Sequence, residues 1–165
     1  MPGPILFEQQ RIGKEGRPFR LKKFRSMRVI KDAEDGRFDV GNNYRILPFG
    51  KTLRKTKLDE IPQLINVLKG EMSIVGPRPE VKQWTEVFPE QWKIVHSIKP
   101  GMTDNASVEF RNEEEILAKS KDPIKTYREE ILPRKLDLYV EYVNNQSFYG
   151  DLKIILKTIK VVIKG

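Results

Sequence analysis

Near the start of the chain, two apolar runs flank a glycine-bearing break, and beyond them helical spacing takes over. Ile5-Leu6-Phe7 and Phe19-Arg20-Leu21-Lys22-Lys23-Phe24 lie on either side of Gly13-Lys14-Glu15-Gly16, a layout that predicts a β-hairpin. Further on, Leu58 to Leu68 sets Leu58, Ile61, Leu64, Ile65 and Leu68 on one helical face, with Gly70 as the stop. Pro89 and Pro133 interrupt later apolar patterns, so Glu80 to His96 and Pro123 to Asn144 are each predicted as two shorter helices meeting at a bend. In the second of these, Leu132, Leu136, Tyr139, Val140 and Val143 keep helical spacing, and Trp84, Phe88 and Trp92, spaced by four, are assigned to the core. Lys31 to Asn43, rich in Asp, Gly and Asn, reads as a surface loop. The whole is predicted as α+β: a mostly helical single domain over residues 1–165, with an N-terminal β-hairpin and a C-terminal amphipathic helix.

That last helix is ambiguous in one respect. Across Asp151 to Lys164, the side chains of Lys153, Lys157, Lys160 and Lys164 fall within about 60° of arc, and Leu, Ile and Val fill most of the rest. A wide apolar face beside a lysine ridge fits a helix lying on an anionic membrane surface; it equally fits a terminal helix packed on the core with solvated lysines.

Charge narrows the range of partners. The 165 residues carry a formal net charge of +8, and the excess lies in residues 1–58, where 15 basic side chains face 6 acidic ones. Such a field attracts phosphates, nucleic acid or anionic lipid. The absence of cysteine excludes thiol nucleophiles, thiolate metal sites and disulfides. A single histidine, His96, removes paired-histidine metal motifs and is expected only to cap or pack. No run approaches the ~20 apolar residues of a spanning helix, and Met1-Pro2-Gly3-Pro4 lacks a signal-peptide layout.

The candidate chemistry centres on Lys57-Leu58-Asp59-Glu60-Ile61-Pro62-Gln63-Leu64. Pro62 belongs in a first helical turn, which puts Asp59 at or near the N-cap, where the helix dipole favours an ionised carboxylate. Taken alone, such a pair is also an ordinary cap. Two neighbours change the weighting. Arg78 stands between Pro77 and Pro79, which fix its backbone and aim its guanidinium as phosphate recognition requires, although a stiff surface turn reads the same way. Arg54-Lys55-Thr56-Lys57 supplies cations that could bind phosphate or form a solvated face. Together the three elements suggest a phosphate-transfer site in which Asp59 and Glu60 serve Mg²⁺.

Phe7-Glu8-Gln9-Gln10-Arg11-Ile12-Gly13, Lys23-Phe24-Arg25-Ser26-Met27 and Leu58-Asp59-Glu60-Ile61-Pro62-Gln63-Leu64-Ile65-Asn66-Val67-Leu68-Lys69-Gly70-Glu71-Met72-Ser73, running into Val75-Gly76-Pro77-Arg78-Pro79, resemble the bacterial sugar transferase family. The resemblance continues through Lys99-Pro100-Gly101-Met102-Thr103 to the Asp151-Leu152 tail, and so spans nearly the whole chain. It implies a monotopic phosphoglycosyl transferase at the cytoplasmic face of the bacterial inner membrane. Such an enzyme moves sugar 1-phosphate from a UDP-sugar to a polyprenyl phosphate such as undecaprenyl phosphate and begins polysaccharide or glycoconjugate assembly. By that implication Asp59 is the nucleophile of a covalent phosphosugar intermediate, Glu60 assists metal binding or proton handling, and Mg²⁺ and arginine neutralise phosphoryl charge. Arg78 contacts phosphate, with Arg54 and Lys57 as further substrate-binding candidates.

Two departures from the family pattern stand out. Members usually begin with a hydrophobic re-entrant helix, and nothing in these residues corresponds to it, so a trimmed form of a longer protein is expected. Where many members read Pro-Gly-Ile-Thr-Gly-Trp, this chain has Pro100-Gly101-Met102-Thr103-Asp104-Asn105, followed by Glu109-Phe110-Arg111-Asn112; Arg111 is a weaker ligand candidate on that account. Two rival readings are a basic nucleic-acid-binding module, supported by Phe19, Phe24 and Phe38 among cations, and a non-catalytic membrane adaptor of the same fold. The first lacks any standard nucleic-acid motif and leaves Asp59, Glu60 and Arg78 unexplained, so nucleic acid is not expected as a partner.

Overall fold

A computed structural model describes residues 3–28 and 46–163. The expected loop at Lys31 to Asn43, Phe38 and Lys164 lie outside those residues. The fold class is the predicted one, α+β and mostly helical. Strands β1 (Leu6–Ile12) and β2 (Pro18–Phe24) form an antiparallel hairpin in the register Leu6 to Phe24 through Ile12 to Pro18. Alternation along β2 turns Phe19 and Leu21 inward, where they meet Met72, Val67 and Met102; Phe19 is therefore core and not a stacking platform.

Helix α1 (Pro48–Lys55) leads into a 3-10 turn at Leu58–Glu60, then α2 (Gln63–Leu68) and β3 (Ser73–Val75). Helices α3 (Lys82–Thr85) and α4 (Pro89–Val95) break at Pro89 as predicted. Strand β4 (Gly101–Thr103) pairs parallel to β3. Then follow α5 (Asn105–Glu109), α6 (Glu113–Lys119), α7 (Pro123–Thr126), α8 (Leu132–Asn144) and α9 (Phe148–Ile163).

Pro133 does not divide its helix. Residues Tyr127–Ile131 between α7 and α8 form a π turn with helical dihedrals throughout, so Pro123 to Asn144 is one continuous helix and not two. Proline removes an N–H and crowds the carbonyl four residues back; a widened turn just before it accommodates both without ending the helix. The main core lies against this helix, with Trp84, Trp92, Val95, Leu117, Tyr127, Ile131, Leu132, Leu136 and Tyr139 in one buried cluster. Trp92 donates through Nε1 to the Trp84 carbonyl at 3.0 Å, and His96 stacks on Trp92.

The face Leu58, Ile61, Leu64, Ile65 and Leu68 exists but points outward, with Leu68 88% exposed. Turned inward instead is a stripe one turn apart along the same segment: Asp59, Gln63 and Asn66. Asn66 fixes this orientation. Its Nδ2 donates to the Arg20 carbonyl at 2.8 Å and to Glu71 Oε2 at 2.7 Å, while Oδ1 accepts from the Lys22 amide at 3.1 Å. The side chain thus serves β2 as an adjacent strand would, and α2 must present its polar side to the hairpin. Gly70, at φ 77°, ends the helix as expected.

Helix α9 is fastened by two polar contacts. Tyr142 donates its hydroxyl to Asp151 Oδ1 at 2.8 Å, and the hydroxyls of Thr103 and Thr158 lie 2.6 Å apart. Around them pack Val75, Tyr142 and Ile154, with Ile98 and Ile155. Among the described residues no helix is long and apolar enough to cross a membrane.

The inverted orientation of α2 is testable by urea denaturation. Asn66→Ala strands a backbone amide and a carbonyl and is expected to cost about 3 kcal/mol. Leu68→Ser is expected to stay within about 0.5 kcal/mol of the parent. The reverse order would mean that the apolar face is the buried one.

Candidate active site

The site forms where three stretches distant in sequence meet: the end of β2, the 3-10 turn and the loop after β3. Pro62 has no N–H to donate to the Leu58 carbonyl, so the segment ahead of α2 closes by three-residue bonds, Glu60 N to Lys57 O at 3.1 Å and Ile61 N to Leu58 O at 3.2 Å. Lys57 enters this turn in the left-handed conformation, at φ 57° and ψ 13°. The true helix begins at Gln63 with Pro62 as its N-cap. Asp59 accordingly sits a turn earlier than the N-cap expected of it and makes no capping bond. Burial governs its charge instead of a dipole.

The Arg78 loop is held at both ends. Gly76 N donates to Thr103 O at 3.0 Å and Gly101 N to Pro77 O at 2.9 Å. The two backbones approach so closely that a Cβ on Gly101 would stand 2.1 Å from Gly76 N, which is why glycine is required there. At the other end, Glu80 accepts from Arg11 Nη1 at 2.9 Å and from the Tyr127 hydroxyl at 3.2 Å, and its carbonyl takes the Ile12 amide at 2.9 Å.

Asp59 and Glu60, adjacent in sequence, occupy opposite electrostatic states. Glu60 receives both Nη groups of Arg78, Nη1 at 3.1 Å, and Lys23 Nζ at 3.1 Å. Burial opposes its ionisation, but the Arg78 and Lys23 charges overcome that and hold its pKa well below the ordinary carboxylate range. Asp59 is 7% exposed and accepts no hydrogen bond among the described residues. Its Oδ1 is fully enclosed, which leaves Oδ2 as the oxygen facing solvent. Burial raises its pKa, with Glu60 adding to the rise, against the pull of Lys23, Arg54 and Lys57. The result is a desolvated carboxylate without hydrogen bonds, within the field of Lys23, Arg54 and Lys57, a state that suits a nucleophile toward phosphorus.

The expected site residues assemble unevenly. Glu60 and Arg78 come together beside the turn that carries Asp59, and Arg54 and Lys57 act on Asp59 through their charge. Arg78 meets Glu60 directly. Arg54 pairs with Glu114 of α6, and its Nη1 lies 3.2 Å from Met27 Sδ. Lys57 is exposed. Arg111 lies half-buried between α5 and α6, forms no ion pair among the described residues and is not one of the charges acting chiefly on Asp59 or Glu60. Asp104, at the departure from the family motif, is buried and caps α5, accepting from Ser107 N at 2.9 Å and Ser107 Oγ at 2.6 Å.

Lys23 is the site residue that motif reading passed over. Its signal lay in the alternation of β2: Phe19, Leu21 and Lys23 share the inward face, and a lysine continuing an apolar row needs an anionic partner. Burial lowers its pKa despite the Glu60 charge.

The donor set suits a hard divalent cation only in part. Both Glu60 oxygens are taken, Asp59 is the carboxylate left without a partner, and no cluster of three or more His, Asp or Glu exists among the described residues. A cation here must draw most of its oxygen ligands from phosphate or water, which is how Mg²⁺ is commonly held.

With this geometry stands the parentage of the chain: it belongs to the bacterial sugar transferase family, whose model matches residues 1–165. A galactosyl transferase of Streptococcus agalactiae is 41% identical over 99% of the chain, which spans 35% of that protein. The UDP-glucose:undecaprenyl-phosphate glucose-1-phosphate transferase of Escherichia coli is 36% identical over 96% of the chain and 32% of its own length. An uncharacterized sugar transferase of Bacillus subtilis is 37% identical over 97% of the chain and 70% of its own length. The chain thus spans about a third of the first two relatives.

The two carboxylates should affect stability with opposite signs. Folding raises the Asp59 pKa, so its contribution is fully favourable only below the unfolded value and is lost as pH rises through the folded one. Asp59→Asn should therefore raise the thermal midpoint at pH 7, with the gain vanishing in acid. Folding lowers the Glu60 pKa, so its contribution is present above the unfolded value and lost as pH falls through the folded one. Glu60→Gln is expected to cost about 2 kcal/mol at pH 7, less than a fully enclosed pair, and little in acid. Calorimetry of both variants across pH checks the signs.

Proposed function

We propose that the chain carries the catalytic site of a transferase that moves sugar 1-phosphate from a UDP-sugar to a polyprenyl phosphate through a covalent intermediate on Asp59. The observation that supports this most is the buried, hydrogen-bond-free Asp59 carboxylate beside the Glu60–Arg78 pair. The names of the relatives support the substrate classes, since one uses UDP-glucose and undecaprenyl phosphate and another, from Aeromonas hydrophila, is a UDP-N-acetylgalactosamine-undecaprenyl-phosphate N-acetylgalactosaminephosphotransferase.

The reaction runs in two displacements. Asp59 Oδ2 attacks the phosphorus that bears the sugar; an oxygen–phosphorus bond forms, the bond from that phosphorus to the bridging oxygen breaks, and UMP leaves with the electron pair. An oxygen of polyprenyl phosphate then attacks the same phosphorus, and the Asp59–phosphorus bond breaks to restore the carboxylate. Both nucleophiles are already anionic, so neither step calls for a general base. Arg78, oriented by Glu60, together with Arg54 and Lys57, binds and neutralises phosphate oxygens, which is most of what such a displacement asks of a protein. Mg²⁺ would be held mainly by phosphate oxygens and water, with Glu60 as a protein ligand where Arg78 or Lys23 releases it, and would supply further charge neutralisation.

Incubation with UDP-glucose, UDP-galactose or UDP-N-acetylgalactosamine and no lipid acceptor is expected to add the mass of a sugar phosphate to the peptide containing Asp59. Asp59→Asn should gain none and lose roughly 10³-fold or more in UMP release. EDTA should suppress that release and added MgCl₂ restore it. An adduct on Glu60, or full turnover in EDTA, would overturn the respective assignment.

For the acceptor side, we infer that α9 rests on an anionic membrane surface. Phe148, Tyr149, Leu152, Leu156, Ile159 and Ile163 are exposed along one stripe of about 100°, and the exposed Lys153, Lys157 and Lys160 run beside it. Apolar residues next to cations are what an interface of acyl chains and acidic head groups accommodates. Replacing the three lysines with glutamate should abolish co-sedimentation with phosphatidylglycerol vesicles, and low salt should strengthen binding of the parent. Unchanged co-sedimentation would refute this placement.

A further inference from the structure

We propose that Arg11 is a positioning residue for Arg78: its guanidinium pins the peptide that follows Arg78 and so fixes where the Arg78 fork meets phosphate. The inference rests on the reading of this site as one of phosphoryl transfer through Asp59. Pro77 and Pro79 have no N–H, so the loop that carries Arg78 is held chiefly through what its carbonyls accept. Gly101 N donates to the Pro77 carbonyl at 2.9 Å, and Ile12 N donates to the Glu80 carbonyl at 2.9 Å. Between them, Arg11 Nη1 reaches the Pro79 carbonyl at 3.3 Å and Glu80 Oε1 at 2.9 Å. One side chain of β1 thus spans the backbone and the carboxylate directly after Arg78.

Arg11 is itself braced. Gln9 Oε1, two residues earlier on the same face of β1, accepts from Nε at 3.2 Å and from Nη2 at 2.7 Å. One edge of the planar guanidinium is therefore fixed by its own strand, while Nη1 serves the loop. A lysine at this position would keep the charge but not the rigid fork that meets a carbonyl and a carboxylate at once. Glu80 is held in turn: Oε1 also accepts from Val81 N at 3.1 Å, and Oε2 accepts from the Tyr127 hydroxyl at 3.2 Å. Burial opposes its ionisation, but Arg11, Lys135 and these two donors outweigh burial and keep its pKa below the ordinary carboxylate range. With side-chain exposures of 18% for Arg11 and 14% for Glu80, water competes little for the pair. Arg78 then stands between two carboxylates with separate tasks. Glu60 meets its guanidinium, whereas Glu80, joined to Arg11, fixes the backbone behind it. An arginine loose at its backbone would follow Glu60 alone; one pinned on both sides holds a phosphate at a set place relative to Asp59, and small errors of placement slow such reactions heavily.

A double-mutant cycle tests the assignment, with Arg11→Lys and Arg78→Lys made alone and together. UDP-glucose, UDP-galactose and UDP-N-acetylgalactosamine are supplied in turn without lipid, and quenched-flow mass spectrometry reads the growth of the Asp59 adduct. Arg11→Lys is expected to slow the maximal rate about 10²-fold, the scale of an ångström's misplacement. The UDP-sugar concentration for half-maximal rate should stay within about threefold. In the Arg78→Lys background the same change should cost no more than about threefold, because the group it positions is already gone. Gln9→Met removes the brace and leaves Arg11 and Glu80 in place; it should slow the parent chain roughly tenfold and the Arg78→Lys chain hardly at all. A loss equal in both backgrounds marks a role in folding and overturns the proposal, as does an unchanged rate in Arg11→Lys or a loss that saturating UDP-sugar restores. Should Arg11→Lys fail to fold, Gln9→Met decides in its place. Wild-type chain that forms no adduct rejects Asp59 as nucleophile, and with it the step that Arg11 would serve; a wild-type adduct with equal losses in both backgrounds rejects Arg11 alone.

Discussion

Glu60 is the point on which the site depends. Through Lys23 it holds the end of the hairpin, through Arg78 the loop after β3, and through its own backbone the turn that carries Asp59. None of these stretches is tied to the others by a continuous sheet: the hairpin and the β3–β4 pair are separate two-stranded units. An ion pair largely screened from water does what a sheet would otherwise do. Removing Glu60 would leave Lys23 and Arg78 without compensation, so one side chain decides whether the three stretches meet.

The hairpin, the helix stop at Gly70, the break at Pro89 and the tryptophan core were legible in the sequence because each depends on local rules of period and punctuation. The candidate site was legible as a set of residue types, of which Glu60 and Arg78 meet in the structure, although each part alone also reads as a cap, a stiff turn or a solvated face. Orientation was not legible. An apolar stripe at helical spacing normally means a buried face, and α2 reverses this because Asn66 hydrogen-bonds to the β2 backbone and Asp59 and Gln63 follow it inward. That choice is made by a strand more than forty residues earlier in the chain, beyond any window of local pattern. The same holds for Lys23, whose meaning appears only when Glu60 is folded against it, and for Pro133, where a π turn took up a disruption that a rule of local geometry assigns to a helix end.

Asp59 and Glu60 show how little of a side chain's chemistry is fixed by its neighbours in sequence. One residue of separation turns one carboxylate toward two cations and the other into an enclosed niche, so folding favours ionisation of the first and resists that of the second. Ionised, Asp59 therefore carries a charge that the fold disfavours. The Glu60 ion pairs stabilise the same turn, while the Glu60 charge adds to the cost of ionising Asp59.

The fastening of α9 carries a geometrical consequence. Thr158 is bonded to Thr103 of β4, and Asp151 to Tyr142, which packs on Val75 of β3. These are the strands whose ends clamp Gly76 and Pro77, immediately before Arg78. The long axis of α9 and the Arg78 loop are therefore joined through one bracket, in which the glycines at the clamped strand ends lie backbone to backbone. Any flat surface on which that helix lies sets the height and tilt of Arg78 above it, so the distance of that guanidinium from such a surface is a dimension built into the fold.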